Sequence, residues 1–353
     1  MGFRVTVQSC CFSSASRDGL FVLWNITDRC NLACPHCHGR AKREALPHEN
    51  ARLRRAELRV VIDRLADVRP HSVAISGGEP LLFPDILWLL RELREHGLNP
   101  DVCTNGMAVT PELVRSMAEA VERVSVSLDS FSREKSATLK GSPEACDRAL
   151  EAIDAFVAAG MQVNASIVPT GITYEEIVAT TQGLAQRGVA SISILPLMAT
   201  RHTTYRLTPA AWRHLNDSLP SLIDVCQRYD VELKLKGFPL DEETMTRCGA
   251  GEHVVAISSR GHLWPCVFFG ENSEETDLMK VTIPEALVSS SFEQFRRDIA
   301  QTACADCAYA SLCEKGCVGV SWVERGVIAP DPRCARKTLR STEAGAGATR
   351  QGP

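Results

Sequence analysis

Three cysteines fall within eight residues as Cys30, Cys34 and Cys37. A second group, Cys304, Cys307, Cys313 and Cys317, is flanked by Cys248, Cys266 and Cys334. The chain carries 15 cysteines and no export signal, and thiols this numerous in a reducing compartment are metal ligands more readily than disulfides. At this cysteine content the CxxxCxxC spacing is expected by chance roughly 0.03 times, and CxxCxxxxxCxxxC about 0.001 times. Three thiolates can hold three corners of a cubane iron-sulfur cluster and leave one iron open to a further ligand, whereas four serve electron transfer or structure. The same three cysteines completed by His36 or His38 would instead make a zinc knuckle.

Other polar residues recur at regular places. Ser76-Gly77-Gly78-Glu79-Pro80 offers glycines that admit close backbone approach and a carboxylate able to accept an amine's protons. Thr104-Asn105-Gly106 and the pair Ser127 and Asp129 follow further along; each alone also reads as a turn or cap.

The elements that must position these groups alternate short β-branched runs with amphipathic stretches, which predicts parallel strands joined by helices. Strands are expected at Phe21 to Asn25, Ser72 to Ser76, Asp101 to Thr104, Arg123 to Leu128, Gln162 to Val168 and Ser191 to Leu195. Helices are expected at Arg55 to Asp67, Pro84 to His96, Pro111 to Ala120, Pro143 to Ala159 and Tyr174 to Gln186. The fold class is therefore α/β, and the polar motifs and the first cysteine group all stand at C-terminal ends of strands, where sites form in such sheets. Pro209 to Tyr229 reads as one amphipathic helix and Val231 to Leu235 as a short strand. The expected division is an N-terminal extension (1–20), a first domain (21–235), a cysteine-rich domain organised around metal (236–340) and an Ala/Gly-rich tail (341–353).

Composition bounds the function. A net charge of −4, with 39 basic and 43 acidic residues, argues against a dedicated nucleic-acid binder. No apolar run reaches the roughly 20 residues of a membrane helix, and the N-terminus lacks a signal-peptide pattern, so a cytoplasmic location is expected. Met1-Gly2-Phe3-Arg4-Val5-Thr6 fits only the loose myristoylation pattern, with no polybasic partner. Of the remaining cysteines, Cys103, Cys146 and Cys226 are expected as small buried hydrophobes, and Cys10 and Cys11 lie in an irregular stretch.

CxxxCxxC after the first strand, GGEP after the second and TNG after the third resemble the radical S-adenosylmethionine (radical SAM) superfamily. The resemblance implies a partial (β/α)6 barrel in which Cys30, Cys34 and Cys37 hold a 4Fe-4S cluster whose free iron chelates SAM. His36 takes the aromatic position beside the last cysteine. The SAM-binding residues so implied are Gly77, Gly78, Glu79 for the methionyl amine, Asn105, Ser127 for the ribose, and Lys140, which stands where many relatives carry an arginine. Lysine supplies charge without the bidentate fork. The implied chemistry is reductive cleavage of SAM to a 5′-deoxyadenosyl radical that removes a substrate hydrogen atom, with electrons from a flavodoxin or ferredoxin.

The later cysteines resemble the SPASM domain appended to many such enzymes. That likeness implies two auxiliary 4Fe-4S clusters: Cys248, Cys266 and Cys317 for the first, and Cys304, Cys307, Cys313 and Cys334 for the second. Zinc sites are the plain alternative. Relatives with this domain mostly modify ribosomal peptides, so a natural-product precursor, foremost a peptide, is the expected substrate. Fewer oxidise sugars, aminocyclitols or tetrapyrroles, which leaves a small-molecule dehydrogenase or epimerase as the alternative. Cys266 is followed by Val267 and Phe268, where sulfatase-activating relatives carry an aspartate. About 20 residues precede the first strand, too few for a leader-recognition domain, so a peptide substrate would call for a separate recognition protein or a different mode of docking. The rival from another class is a non-catalytic metal-binding scaffold.

Overall fold

The structure is a computed structural model that describes residues 4–8, 19–37, 39, 52–195, 197, 203–236, 249–270, 272–301 and 317–331. The expectations for Cys10, Cys11, His38, Cys248, Cys304, Cys307, Cys313, Cys334 and the 341–353 tail lie outside the described residues.

The strands are β1 (Val5–Gln8), β2 (Phe21–Thr27), β3 (Ser72–Gly77), β4 (Pro100–Thr104), β5 (Arg123–Ser127), β6 (Gln162–Ile167), β7 (Ser191–Ile194), β8 (Glu232–Lys236), β9 (Val254–Ile257) and β10 (Leu263–Trp264). They form one sheet in the order β1-β8-β7-β6-β5-β4-β3-β2-β9-β10. All pairings are parallel except β9 with β10. Parallel neighbours need crossovers, and the helices that supply them cover one face. Val22, Trp24, Val73, Ile75, Val102, Val124, Val126, Val163, Ile192 and Leu233 alternate onto that face and are buried with Leu58, Leu89, Leu93, Ile153 and Phe156 of the helices. The result is a partial (β/α) barrel, with the other face of each strand turned to its concave side.

Most expected elements are present, with four differences. Helix Arg133–Lys140 is additional: Ser132 caps it by accepting from the Lys135 N–H at 3.3 Å, and Gly141 closes it in the left-handed conformation (φ 72°). It buries only Ser136, Leu139 and Lys140, so its apolar stripe is too thin to register as periodicity. Pro209 to Tyr229 is two helices, Pro209–Asp217 and Leu219–Arg228. Pro220 lacks the N–H that would continue the ladder to Asn216, and its ring excludes the preceding turn; one turn earlier the His214 carbonyl accepts from both Ser218 N at 3.0 Å and Ser218 Oγ at 2.7 Å. Strand β1 lies within the stretch expected to be an extension, paired with β8. The region after residue 236 holds β9, β10 and helices Ile283–Leu287, Ser290–Gln301 and Val318–Arg325, and β9 joins the barrel sheet directly beside β2. Among the described residues no helix is long and apolar enough to cross a membrane.

Candidate active site

The loop that carries the first cysteines is fastened to the turn after β3. Gly78 N donates to the Thr27 carbonyl and Glu79 N to the Arg29 carbonyl, both at 2.7 Å. The two backbones run so close that a Cβ on Gly77 would lie 2.3 Å from the Thr27 oxygen, and one on Gly78 2.1 Å from the Arg29 oxygen. The glycine pair therefore admits the chain's own cysteine loop. Asp28, in the same loop, accepts from Ser259 Oγ of the β9–β10 turn at 2.6 Å, so the later region also braces it.

Glu79 is buried and satisfied from three sides. Its Oε1 accepts from Thr104 Oγ1 at 2.7 Å and Leu81 N at 3.1 Å, and its Oε2 from Asn105 N at 2.8 Å. Burial pushes its pKa up, against these three donors. Asn105 Nδ2 donates to Asn31 Oδ1 at 2.8 Å and lies 3.9 Å from Cys30 Sγ, while its Oδ1 accepts from Met107 N. TNG thus ties the β4 end to both GGEP and the cysteine loop.

Cys30, Cys34 and Cys37 line one cavity of about 250 Å³ together with Gly77, Gly78, Glu79, Asn105, Ser127 and Lys140. Every described residue expected at the first site is thereby brought to one place. The same cavity is lined by Cys103, Asp129, Val168 and Leu197. Cys103 was expected as a buried hydrophobe; it is half-buried and faces the site instead. Strand alternation is the signal that finds it, since Cys103 pairs with Ser125 on β5, two residues before Ser127 on the same face. Val168 and Leu197 lie just past strand ends, where apolar residues carry no distinguishing mark.

Asp129 and Lys140 form a buried ion pair at 2.7 Å, and Val168 N donates to Asp129 Oδ1 at 2.9 Å. Burial opposes both charges, but each is offset by the other: Asp129 is held below the usual carboxylate range and Lys140 above its ordinary value. The ammonium is thus spoken for by Asp129 within the protein. Cys34 Sγ approaches the Lys140 carbonyl at 3.7 Å. Burial raises the Cys34 thiol to about 11, against the lowering effect of Lys140, so ligation there releases a proton.

The donor set fits an iron-sulfur cluster with a bound polar cofactor. Three thiols, which are soft ligands, face a cavity that also holds an orphaned polar atom: His36 Nδ1 is buried without a hydrogen-bond partner. Burial lowers His36 to about 4, so its ring is neutral at pH 7, and it lies 6.2 Å from the Tyr205 ring.

Of the second constellation, Cys266 and Cys317 are described. Cys266 is buried with Leu23, Ala74, Ala256 and Phe268 on the concave side of the sheet. Cys317 begins helix Val318–Arg325, and its N–H donates to Asp331 Oδ2 at 3.0 Å. Asp331 is a buried carboxylate at this constellation that the cysteine spacing could not point to.

Residues 24–182 match the radical SAM superfamily. Over 350 residues the chain is 26% identical to an AdoMet-dependent heme synthase of Methanosarcina barkeri, covering 89% of this chain and 95% of that protein. It is 27% identical over 340 residues to the mycofactocin maturase MftC of Mycobacterium tuberculosis, covering 89% and 82%. The crystal structure of Streptococcus suis SuiB bound to S-adenosylmethionine superposes with a TM-score of 0.72 at 19% identity, over 89% of this chain and 78% of that one. Residues 24–182 are thus a radical SAM domain, and the chain that carries it is an enzyme. The expectation of a non-catalytic scaffold is set aside.

Proposed function

We propose that this chain is a radical SAM/SPASM oxidoreductase that modifies a natural-product precursor, foremost a ribosomal peptide. The observation that carries the reading is the convergence of Cys30, Cys34 and Cys37 with Glu79, Asn105, Ser127 and Lys140 on one cavity. In this reading the three thiolates hold a 4Fe-4S cluster with one open iron, which with SAM supplies a 5′-deoxyadenosyl radical able to remove an unactivated hydrogen atom. Glu79, fixed by three donors, keeps a lone pair on Oε2 for the methionyl amine. Ser127 offers its hydroxyl to the ribose. Lys140, already paired with Asp129, contributes a dipolar pair where a lone cation would otherwise stand. Gly77 and Gly78 act through the cysteine loop that they admit.

Residues 236–340 form the SPASM domain in this reading, with the two auxiliary clusters ligated as the resemblance to that domain implies. The sequence likeness to the maturase MftC supports a peptide substrate. A second reading, a tetrapyrrole substrate, is favoured by the heme synthase likeness across 95% of that protein. Anaerobic reconstitution tests the metal content: about 12 irons per chain are expected from three cubanes, and about two zincs with no iron would refute it. Deuterium appearing in 5′-deoxyadenosine from a labelled precursor peptide encoded beside the gene selects the first substrate reading. Transfer from a labelled porphyrin instead selects the second, and transfer from neither refutes both.

A further inference from the structure

The concave face of the sheet divides in two. Over β2, β3 and β9 it is apolar, with Leu23, Ala74 and Ala256 packed under Cys266 and Phe268. Over β5 to β8 it is polar, where Asn164 ties together the hydroxyls of Ser125, Ser166, Ser191 and Ser193. Strand β4 stands between the halves. Its Val102 is buried against the helices, so alternation turns Cys103 to the concave side. There Cys103 packs at the margin of the apolar half, lies beside Ser125 in the register, and lines the cavity of Cys30, Cys34 and Cys37.

Asn105, two residues further along, marks the level of the cysteine loop, since its Nδ2 lies 3.9 Å from Cys30 Sγ. Two residues of strand span about 7 Å, so Cys103 stands one pleat deeper, on the way from the three cysteines into the barrel. A ligand held at the cysteines and extending inward passes it. His36 marks the same space for a ligand independently: it lines the cavity, and its Nδ1 is buried without a hydrogen-bond partner.

A carbon radical takes a hydrogen atom readily only from a bond weaker than the C–H bond it forms. The hydroxyls of Ser76, Thr104 and Ser127 hold theirs in strong O–H bonds, and the three cluster cysteines, as thiolates, carry none. Among the described side chains of the cavity, Cys103 alone then offers a weak S–H bond.

We propose that Cys103 is a hydrogen-atom donor to carbon radicals formed in this cavity. The inference rests on the reading that the cavity holds SAM. The Cys103 S–H bond breaks homolytically, a C–H bond forms on the substrate radical, and a Cys103 thiyl radical remains. One electron from the low-potential donor that reduces the cluster, with one proton from solvent, restores the thiol. The hydrogen atom lost from the substrate is thereby replaced, so the substrate is neither oxidised nor reduced. Return from the face opposite to removal inverts the carbon, which makes the reaction an epimerisation rather than a crosslink or a dehydrogenation.

The test needs no substrate. Anaerobically reconstituted full-length protein is given SAM and dithionite in thiol-free buffer made up in deuterium oxide, where thiol hydrogens exchange and carbon-bound ones do not. The 5′-deoxyadenosine released by the wild type is expected to carry one deuterium, and the deuterated fraction to fall fivefold or more in Cys103→Ser and in Cys103→Ala. The fraction is counted per molecule of product, so a variant that is only slower or partly unfolded does not move it. In a second arm, without SAM cleavage, methyl methanethiosulfonate is expected to modify Cys103 of the iron-loaded protein, and S-adenosylhomocysteine to slow that modification tenfold, read by peptide mass spectrometry. Unlabelled 5′-deoxyadenosine from the wild type, or an unchanged deuterated fraction in either variant, would overturn the proposal and leave the cofactor reading standing. Modification that is absent, or that S-adenosylhomocysteine does not slow, would also overturn it. No 5′-deoxyadenosine from iron-loaded wild type would fail the cofactor reading, and the proposal with it.

Discussion

Gly78→Ala is the sharpest test of how the turn after β3 holds the cysteine loop. The added Cβ would lie 2.1 Å from the Arg29 carbonyl oxygen and 2.5 Å from its carbon. Both sides of the contact are backbone, so no rotamer can relieve it. The loops must separate by about 1 Å to restore ordinary contact, which stretches the Gly78–Thr27 and Glu79–Arg29 hydrogen bonds, now 2.7 Å each. Overpacking costs about 1–3 kcal/mol, and two weakened hydrogen bonds add about 0.5–1.5 kcal/mol each. The expected destabilisation is therefore about 2–6 kcal/mol, read as a fall in the urea midpoint at unchanged m-value. Gly97→Ala is the control. Nothing lies within 4 Å of its Cβ and its φ is +73°, so only the left-handed backbone term of about 1–2 kcal/mol applies. A Gly78→Ala protein within about 0.5 kcal/mol of wild type, retaining full iron after reconstitution, would refute the close approach on which the site's description depends.

Three further outcomes follow from the same geometry. Asp129→Asn leaves the Lys140 ammonium buried without its partner and should cost about 3–5 kcal/mol, more than the double variant Asp129→Asn with Lys140→Met; equal losses would mean that the pair is not coupled. Because Asp129 is held below the usual carboxylate range, its contribution is present above the unfolded value near ~3.9 and is lost as pH falls through the lower folded value. Urea midpoints of the apoprotein from pH 6 down to pH 3 should therefore fall less steeply in Asp129→Asn than in wild type, and parallel slopes would contradict this. Cys103→Ser should retain the wild-type iron content, since Cys103 lines the cavity outside the expected ligand set; loss of four irons would make it a ligand.

The strand and helix alternation between residues 21 and 195 was legible because each strand buries a β-branched face and each crossover helix an apolar stripe. Helix Arg133–Lys140 escaped notice for the opposite reason, a polar composition, although Ser132 and Gly141 mark its two ends. The break at Ser218 and Pro220 was legible in principle, as proline past the first turn interrupts a helix, but the continuous amphipathic pattern masked it. The cysteine spacing and the GGEP and TNG motifs pointed to residues that the fold gathers round one cavity. What they could not reveal is non-local: that GGEP grips the cysteine loop, that Asp129 neutralises Lys140, and that β9 inserts beside β2. Long-range pairing of this kind is set by tertiary packing, which no local pattern encodes. The polar concave face was written in the alternation of Ser125, Ser127, Asn164 and Ser166, yet serine in a strand reads as weak propensity until the register aligns it with Ser193 and Lys234.

In the proposed function Cys30, Cys34 and Cys37 leave an iron free to engage SAM. Its most direct measurement is 5′-deoxyadenosine release from SAM by anaerobically reconstituted protein reduced with dithionite. Release by the wild type and its abolition in Cys34→Ala are expected; no release by an iron-loaded wild type, or equal release by both, would rule out an open iron at these three thiolates.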